Sequence, residues 1–237
     1  MDVHQNFTVK NMKTITTISD THTKHHRIKS DLIGGDFLLH GGDIMSSGYN
    51  KEEVIDFLEW FDSLDNYTYK IFIAGNHDRF IENNYEEFKE ILKNYKNVIY
   101  LQDEEVIIDG IKIYGSPWQP WFWDWAFNLP RNSTELHIKW NMIPDDTDIL
   151  LTHTPPMGVL DYVPRSFEHV GCEALRARVF DLKPKLNIFG HIHEGSGNKN
   201  IEGIEFINAS VLNENYMYTN KPLNLKFSKD KGVIEYF

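Results

Sequence analysis

The feature that most constrains this chain is a recurring unit: a short, β-rich apolar run that stops abruptly at Gly, Asp or His. Residues 14–19, 37–40, 70–74, 149–152 and 185–189 are of this kind. Helical patterns lie between some of them. Residues 52–61 carry Val54, Ile55, Leu58 and Phe61 at a spacing near 3.6, and 85–95 place Tyr85, Phe88, Ile91, Leu92 and Tyr95 on one face. Residues 168–180 and 133–142 are two further helix candidates. Asp109-Gly110, Glu202-Gly203 and the stretch 230–232 separate paired runs as hairpin turns do. The mixture predicts an α/β protein with two mixed β-sheets packed together and flanked by helices. Residues 1–13 are expected to be a flexible N-terminus and 14–237 a single domain.

Charge and cysteine content narrow the function. The formal net charge is -11, which disfavours long nucleic acid, since gripping a phosphate backbone needs a basic footprint. A small anionic substrate stays compatible, because bound metals can reverse the sign locally. Cys172 is the single cysteine, so no internal disulfide forms, and a cytoplasmic, reducing location is expected. No stretch approaches a membrane span in length and apolarity, so no membrane partner is expected. Oligomeric state is not legible.

Five short blocks carry the chemistry, and four directly follow a predicted strand, where α/β proteins place ligand sites. Ile18-Ser19-Asp20-Thr21-His22 offers a carboxylate and an imidazole two residues apart. Gly41-Gly42-Asp43-Ile44 presents a carboxylate between small residues that can bridge two metals. Gly75-Asn76-His77-Asp78 adds an amide oxygen and a candidate proton donor. Leu151-Thr152-His153-Thr154-Pro155-Pro156 fixes an imidazole before two stiffening prolines. Gly190-His191-Ile192-His193 puts two imidazoles on an extended segment. Each block alone also reads as a turn or a structural histidine. Together they supply mixed oxygen and nitrogen donors without thiolate, in the order a two-metal site needs, which favours Mn, Fe, Zn or Ni over iron–sulfur chemistry.

With these blocks in place the chain resembles the calcineurin-like metallophosphoesterase superfamily, whose pattern is Asp-X-His, Gly-Asp, Gly-Asn-His-(Asp/Glu), a lone His and Gly-His-X-His. The runs Leu38-Leu39-His40-Gly41-Gly42-Asp43, Tyr114-Gly115-Ser116-Pro117-Trp118-Gln119-Pro120 and Ile188-Phe189-Gly190-His191-Ile192-His193-Glu194-Gly195 resemble its metallophosphoesterase-domain-containing group. The resemblance implies a four-layer metallophosphoesterase-type sandwich. It also implies one divalent metal at Asp20, His22, Asp43 and His193, and a second at Asp43, Asn76, His153 and His191, with Asp43 shared. Manganese is the expected ion, with Fe, Zn, Ni or Co as alternatives. His77 is the implied catalytic residue, and Asn76 and His77 the substrate-binding pair. Asp78 is expected to orient His77 or to cap a helix.

The expected reaction is hydrolysis of a small phosphodiester or nucleotide, with a cyclic nucleotide as the first choice, by a hydroxide activated at the two metals. Protein phosphatases of the superfamily carry Gly-Asp-X-X-Asp-Arg-Gly at the second block; here Ser46, Ser47 and Gly48 stand there, which counts against a protein substrate. A phosphomonoesterase or nucleotide pyrophosphatase would use the same centre, and a non-catalytic metal-binding scaffold is the rival outside enzymes. Trp118, Trp121, Trp123 and Trp125 crowd one segment and are expected mostly to pack on the core, with one or two touching substrate. His25 and His26 read as a solvated basic turn, His40 as buried and satisfied, and His137 and His169 as residues of helices. Cys172 reads as a small core residue.

Overall fold

The computed structural model describes residues 12–237. In chain order the strands are β1 (Met12–Ile18), β2 (Gly35–His40), β3 (Tyr67–Phe72), β4 (Val98–Tyr100), β5 (Glu104–Ile108), β6 (Ile111–Ser116), β7 (Gln119–Pro120), β8 (Asn128–Leu129), β9 (Ile149–Thr152), β10 (Tyr162–Val163), β11 (Glu168–His169), β12 (Leu186–Phe189), β13 (Gly197–Ile201), β14 (Ile204–Asn208), β15 (Leu223–Ser228) and β16 (Gly232–Tyr236). The helices are α1 (Lys51–Asp62), α2 (Arg79–Asn83), α3 (Tyr85–Leu92), α4 (Thr134–Asn141) and α5 (Glu173–Leu182).

Two six-stranded sheets form, ordered β16-β15-β1-β2-β3-β4 and β13-β14-β12-β9-β6-β5. In the first, β1 to β4 run parallel, and β15 runs antiparallel to both its neighbours, β1 and β16. In the second, β6, β9, β12 and β14 run parallel between antiparallel β5 and β13. Both sheets are therefore mixed, as expected.

The pleat sorts side chains into layers, because neighbours along a strand point to opposite faces. Phe37 and Leu39 of β2 pack with Ile113, Ile149, Leu151 and Ile188 in the core between the sheets. Their neighbour Leu38 turns outward to Val54, Phe57, Leu58 and Phe61 of α1 and Phe88 of α3. On the other side, Leu150, Phe189 and Phe206 meet Leu136 and Trp140 of α4 and Leu175 and Val179 of α5. The result is helix, sheet, sheet, helix. Each buried large side chain contributes about 1.5–3 kcal/mol of transfer free energy.

Local chemistry sets the helix ends. Asn50 caps α1 by accepting from the Glu52 amide, and the Ser133 hydroxyl caps α4 by accepting from the Leu136 amide. Cys172 is buried at the N-terminus of α5, where its sulfur accepts from the Leu175 amide. The helix expected over 168–180 starts only at Glu173. Glu168–His169 forms β11 instead, because buried Asp161 holds the His169 ring at 2.6 Å and accepts from the Gly171 amide. His137 does lie in a helix, exposed on α4. β1 begins at Met12 rather than 14: Lys13 reaches Asp109 at 2.6 Å and Asp36 at 3.3 Å, and this pins the start of the strand. The expectation for residues 1–11 lies outside the described residues. Among the described residues no helix is long and apolar enough to cross a membrane.

Candidate metal centre

The parallel strands of the two sheets end side by side. Ser19, just past β1, makes a parallel bridge to Ser210, just past β14, and so joins the sheets at their carboxyl ends. The loops after β1 and β2 then track each other: the Asp20 amide donates to Gly42, His22 to Asp43 and Thr23 to Ile44. Asp20, His22, Asp43 and His191 all sit at positive φ (54°, 40°, 58° and 67°), a left-handed backbone rare for non-glycine residues and concentrated at functional sites. Two block glycines have a steric reason. A Cβ on Gly75 would collide with Asp43 Oδ1, and one on Gly190 with Asp20 Oδ2.

All seven expected ligands converge. Asp20, His22 and His193 form one group and Asp20, Asp43 and His153 another, each with donor atoms within 4.8 Å of one another. His22 Nε2 lies 3.6 Å from Asp43 Oδ2, and His153 Nε2 lies 3.4 Å from Asp43 Oδ1, so the two oxygens of Asp43 face opposite halves of the cluster. His193 Nε2 is 3.4 Å from Asp20 Oδ1. The Asn76 amide oxygen sits 2.8 Å from both His153 Nε2 and His191 Nδ1. Every one of these residues except His191 and His193 is almost wholly buried.

Hydrogen bonds behind the cluster fix the imidazole tautomers. Nδ1 of His22, His153 and His193 faces the carbonyl of Met45, Gly41 and Asn213, at 3.0, 3.0 and 2.9 Å. A carbonyl accepts only, so each Nδ1 carries a proton and each Nε2 turns inward, where it offers a lone pair once it is unprotonated. His22 Nε2 and His193 Nε2 then stand 3.3 Å apart. Converging lone pairs and carboxylates are unfavourable without a cation among them, and this donor set fits a first-row divalent metal.

The electrostatics carry the same signature. Burial pushes His22 down to about 4 and His191 to about 3, which keeps both neutral, the ligating form. Burial also opposes charge on His153 and His193, yet Asp43 and Asp20 respectively lift them to about 9. Burial would raise Asp43, but His153 and His77 hold it well below the usual carboxylate range. A histidine raised above its unfolded value near 6.5 adds stability below that pH and loses it as pH rises through its folded value. The chelator-treated protein is therefore expected to melt at progressively lower temperature as pH rises from about 6.5 through 9. Added metal, which takes the place of those protons, is expected to restore it. Thermal melts across that range check this, and a flat profile in the metal-free protein would contradict it.

His77 stands beside the ligands, half-buried. Its backbone amide donates to Asp43 Oδ1 (2.7 Å) and its Nδ1 meets the Ser46 carbonyl (2.5 Å). Its ring meets His22 edge-on at 4.5 Å and stacks on Trp125 at 4.0 Å. Asp78 neither orients His77 nor makes a capping bond, although it is the N-cap residue of α2. It is buried, and its carboxylate accepts the amides of Gly75, Asp43, Met45 and, more weakly, Ile44. It is a staple between the second and third blocks.

Local patterns missed the supports from the last part of the chain. The Ser210 hydroxyl donates to Asp20 (2.7 Å), and the Tyr216 ring lies 4.9 Å from His22 and 5.3 Å from His193. Neither stands in a recognisable motif. The aromatic segment also differs from expectation. Trp118 and Phe127 pack on the core, but Trp121 (60% exposed), Phe122 (48%) and Trp123 (73%) face solvent at the mouth of the site. Phe122 stands between two cavities of about 490 Å³ each. One reaches His191 past Trp121 and Arg131; the other reaches His77 past Trp123, Trp125 and Tyr216.

Residues 13–195 match the model of the calcineurin-like phosphoesterase family. The chain belongs to this family. It is 44% identical over 227 residues to the human metallophosphoesterase domain-containing protein 1, covering 87% of this chain and 68% of that one. Among solved structures it superposes on TT1561 of Thermus thermophilus with a TM-score of 0.65 at 14% identity, covering 95% of this chain and 98% of that one. The phosphopantetheinyl hydrolase of Mycobacterium tuberculosis gives a TM-score of 0.57 at 13% identity, with 86% and 90% covered. These low identities speak to the fold alone. As a calcineurin-like phosphoesterase the chain is a metal-dependent hydrolase of phosphoric esters.

Proposed function

We propose that this phosphoesterase hydrolyses small phosphodiesters, cyclic nucleotides above all, at a dinuclear centre. Asp20, His22, Asp43 and His193 would hold one ion and Asp43, Asn76, His153 and His191 the other. The observation that carries this reading is the division of Asp43, one oxygen toward His22 and the other toward His153. When bound, the dications supply Lewis-acid polarisation of the phosphoryl oxygens and lower the pKa of a water. Each half offers two oxygen donors and two imidazoles; manganese suits the oxygens, and Fe, Zn, Ni or Co the imidazoles.

The protein's own groups do the rest. His77 is held by the Ser46 carbonyl and wedged between His22 and Trp125, which leaves Nε2 to face a leaving oxygen and donate a proton to it. The Asn76 amide lies between His153 and His191, where it can also steady a phosphoryl oxygen. Exposed Phe122 and Trp123 offer apolar faces beside the site, the chemistry a nucleobase requires. A cytoplasmic location accords with the single unpaired cysteine.

The test pairs two esters on protein stripped and reloaded with Mn²⁺. Bis-p-nitrophenyl phosphate should turn over faster than p-nitrophenyl phosphate. His77→Ala should keep its metal content while kcat on the diester falls by roughly 10²–10³-fold. Preferential turnover of the monoester would reverse the substrate class, and loss of metal in His77→Ala would make His77 a ligand instead of a proton donor.

A further inference from the structure

His25, His26 and Asp56 form a second kind of cluster, outside the centre. Among the described residues it is the one remaining group of such side chains with donor atoms all within 4.8 Å. Sequence alone makes both histidines part of a solvated turn. His26 and Asp56 are indeed exposed, with side chains 60% and 51% accessible, but His25 is wholly buried. His25 opens the 3-10 turn at His25–Asp31, packed edge-on against Phe57 and tilted over Trp60, so the hydrophobic face of α1 fixes its ring.

The geometry is that of ligands sharing a target. Asp56 divides its carboxylate between the rings, with Oδ2 3.1 Å from His25 Nε2 and Oδ1 3.2 Å from His26 Nε2. The contact to His25 is close, yet neither of its ring nitrogens makes a hydrogen bond of acceptable geometry. A buried imidazole rarely goes without a partner, because the unmet polar atom costs stability. The two rings lie 4.5 Å apart and tilted by 50°, an arrangement that opposes protonation of both. Burial, and then the neighbouring His26, push His25 down to about 4, so it offers a neutral lone pair.

We propose that His25, His26 and Asp56 form an accessible transition-metal site, separate from the centre and selective for Zn²⁺ or Cu²⁺ over Mn²⁺. Two imidazoles and one carboxylate, with water at the open positions, favour the later first-row dications. A metal there would tie the turn that leaves Asp20-Thr21-His22 to α1.

Equilibrium dialysis of the intact chain against low-micromolar free Zn²⁺, followed by metal analysis, tests this directly. The wild-type protein should retain about one more zinc per chain than His26→Ala or Asp56→Asn, both surface changes. Diester turnover of the Mn²⁺-loaded variants should equal that of the wild type. In the Mn²⁺-loaded protein Cu²⁺ should also quench Trp60 emission, so the wild type should lose more fluorescence than His26→Ala or Trp60→Phe. Equal zinc contents, or a zinc loss accompanied by lost Mn²⁺-supported turnover, would overturn the proposal.

Discussion

Replacing Asp43 by Asn is expected to lower kcat/KM for a phosphodiester by about 10³-fold or more and to empty at least one metal position. Asp43 is the residue whose two oxygens face His22 and His153 separately, so its loss weakens both halves together. Withdrawing several kcal/mol of charge stabilisation from the transition state corresponds to that factor. Asn is the informative substitution because Asp43 sits at φ 58°, which Asn tolerates and Ala does not. The backbone stays as it is, while one carboxylate oxygen becomes an N–H₂ that can bind no cation. The measurement is metal content after desalting together with steady-state turnover of bis-p-nitrophenyl phosphate. A variant that keeps its full metal and more than about a tenth of the activity would reduce Asp43 to a turn residue, since a bridging ligand cannot be lost at under one power of ten.

The second large effect is on folding. Asp78→Asn is expected to destabilise the protein by about 3 kcal/mol or more. The buried carboxylate accepts backbone amides on both oxygens, from Gly75, Asp43 and Ile44 on one and Met45 on the other. An amide accepts on one oxygen only and sets its own N–H₂ against the remaining donors. Each backbone donor left unmet in the interior costs about 1–3 kcal/mol. For a chain of this size the loss corresponds to a melting temperature lower by about 6–12 °C. Burial and the neighbouring Asp43 push Asp78 up to about 8, and the Met45 and Gly75 amides pull the other way, so those donors are what favour its carboxylate form. A melt within about 2 °C of the wild type, no more than the shift expected for about 1 kcal/mol, would show that water or a shifted loop replaces the staple.

Some of this was legible in the sequence and some was not, for physical reasons. The run at 149–152 is β9 to the residue, and the turns at Asp109-Gly110 and Glu202-Gly203 are the hairpins expected, because such turns have strong local preferences. The run at 70–74 places β3 late: the strand covers Tyr67–Phe72, and the buried Ile73 and Ala74 lie past its end, with the Ile73 amide still donating to His40 of β2. The residues that converge on the site were readable because each stands in a short block, and the glycines of two blocks, Gly75 and Gly190, lie against the carboxylates of Asp43 and Asp20. Ser210 and Tyr216 were not, since nothing local distinguishes a serine that meets Asp20 across almost the whole chain. His25 misled for a similar reason. Its charged neighbours Lys24 and Arg27 suggest solvent, and only the packing of α1 puts it inside.

The joining of the two sheets at Ser19 and Ser210 bears on biosynthesis. Asp20, His22, Asp43 and Asn76 belong to the first-made half of the chain, whereas His153, His191 and His193 follow strands of the second sheet. Bringing such distant residues together carries a loop-closure cost that only the assembled sheets can offset. Under the proposed ligand assignment, a polypeptide still emerging from the ribosome would hold only half of the donor set until β12 has been made and docked. On that assignment, metal loading is expected to follow folding, with the ion meeting a protein already folded around its place.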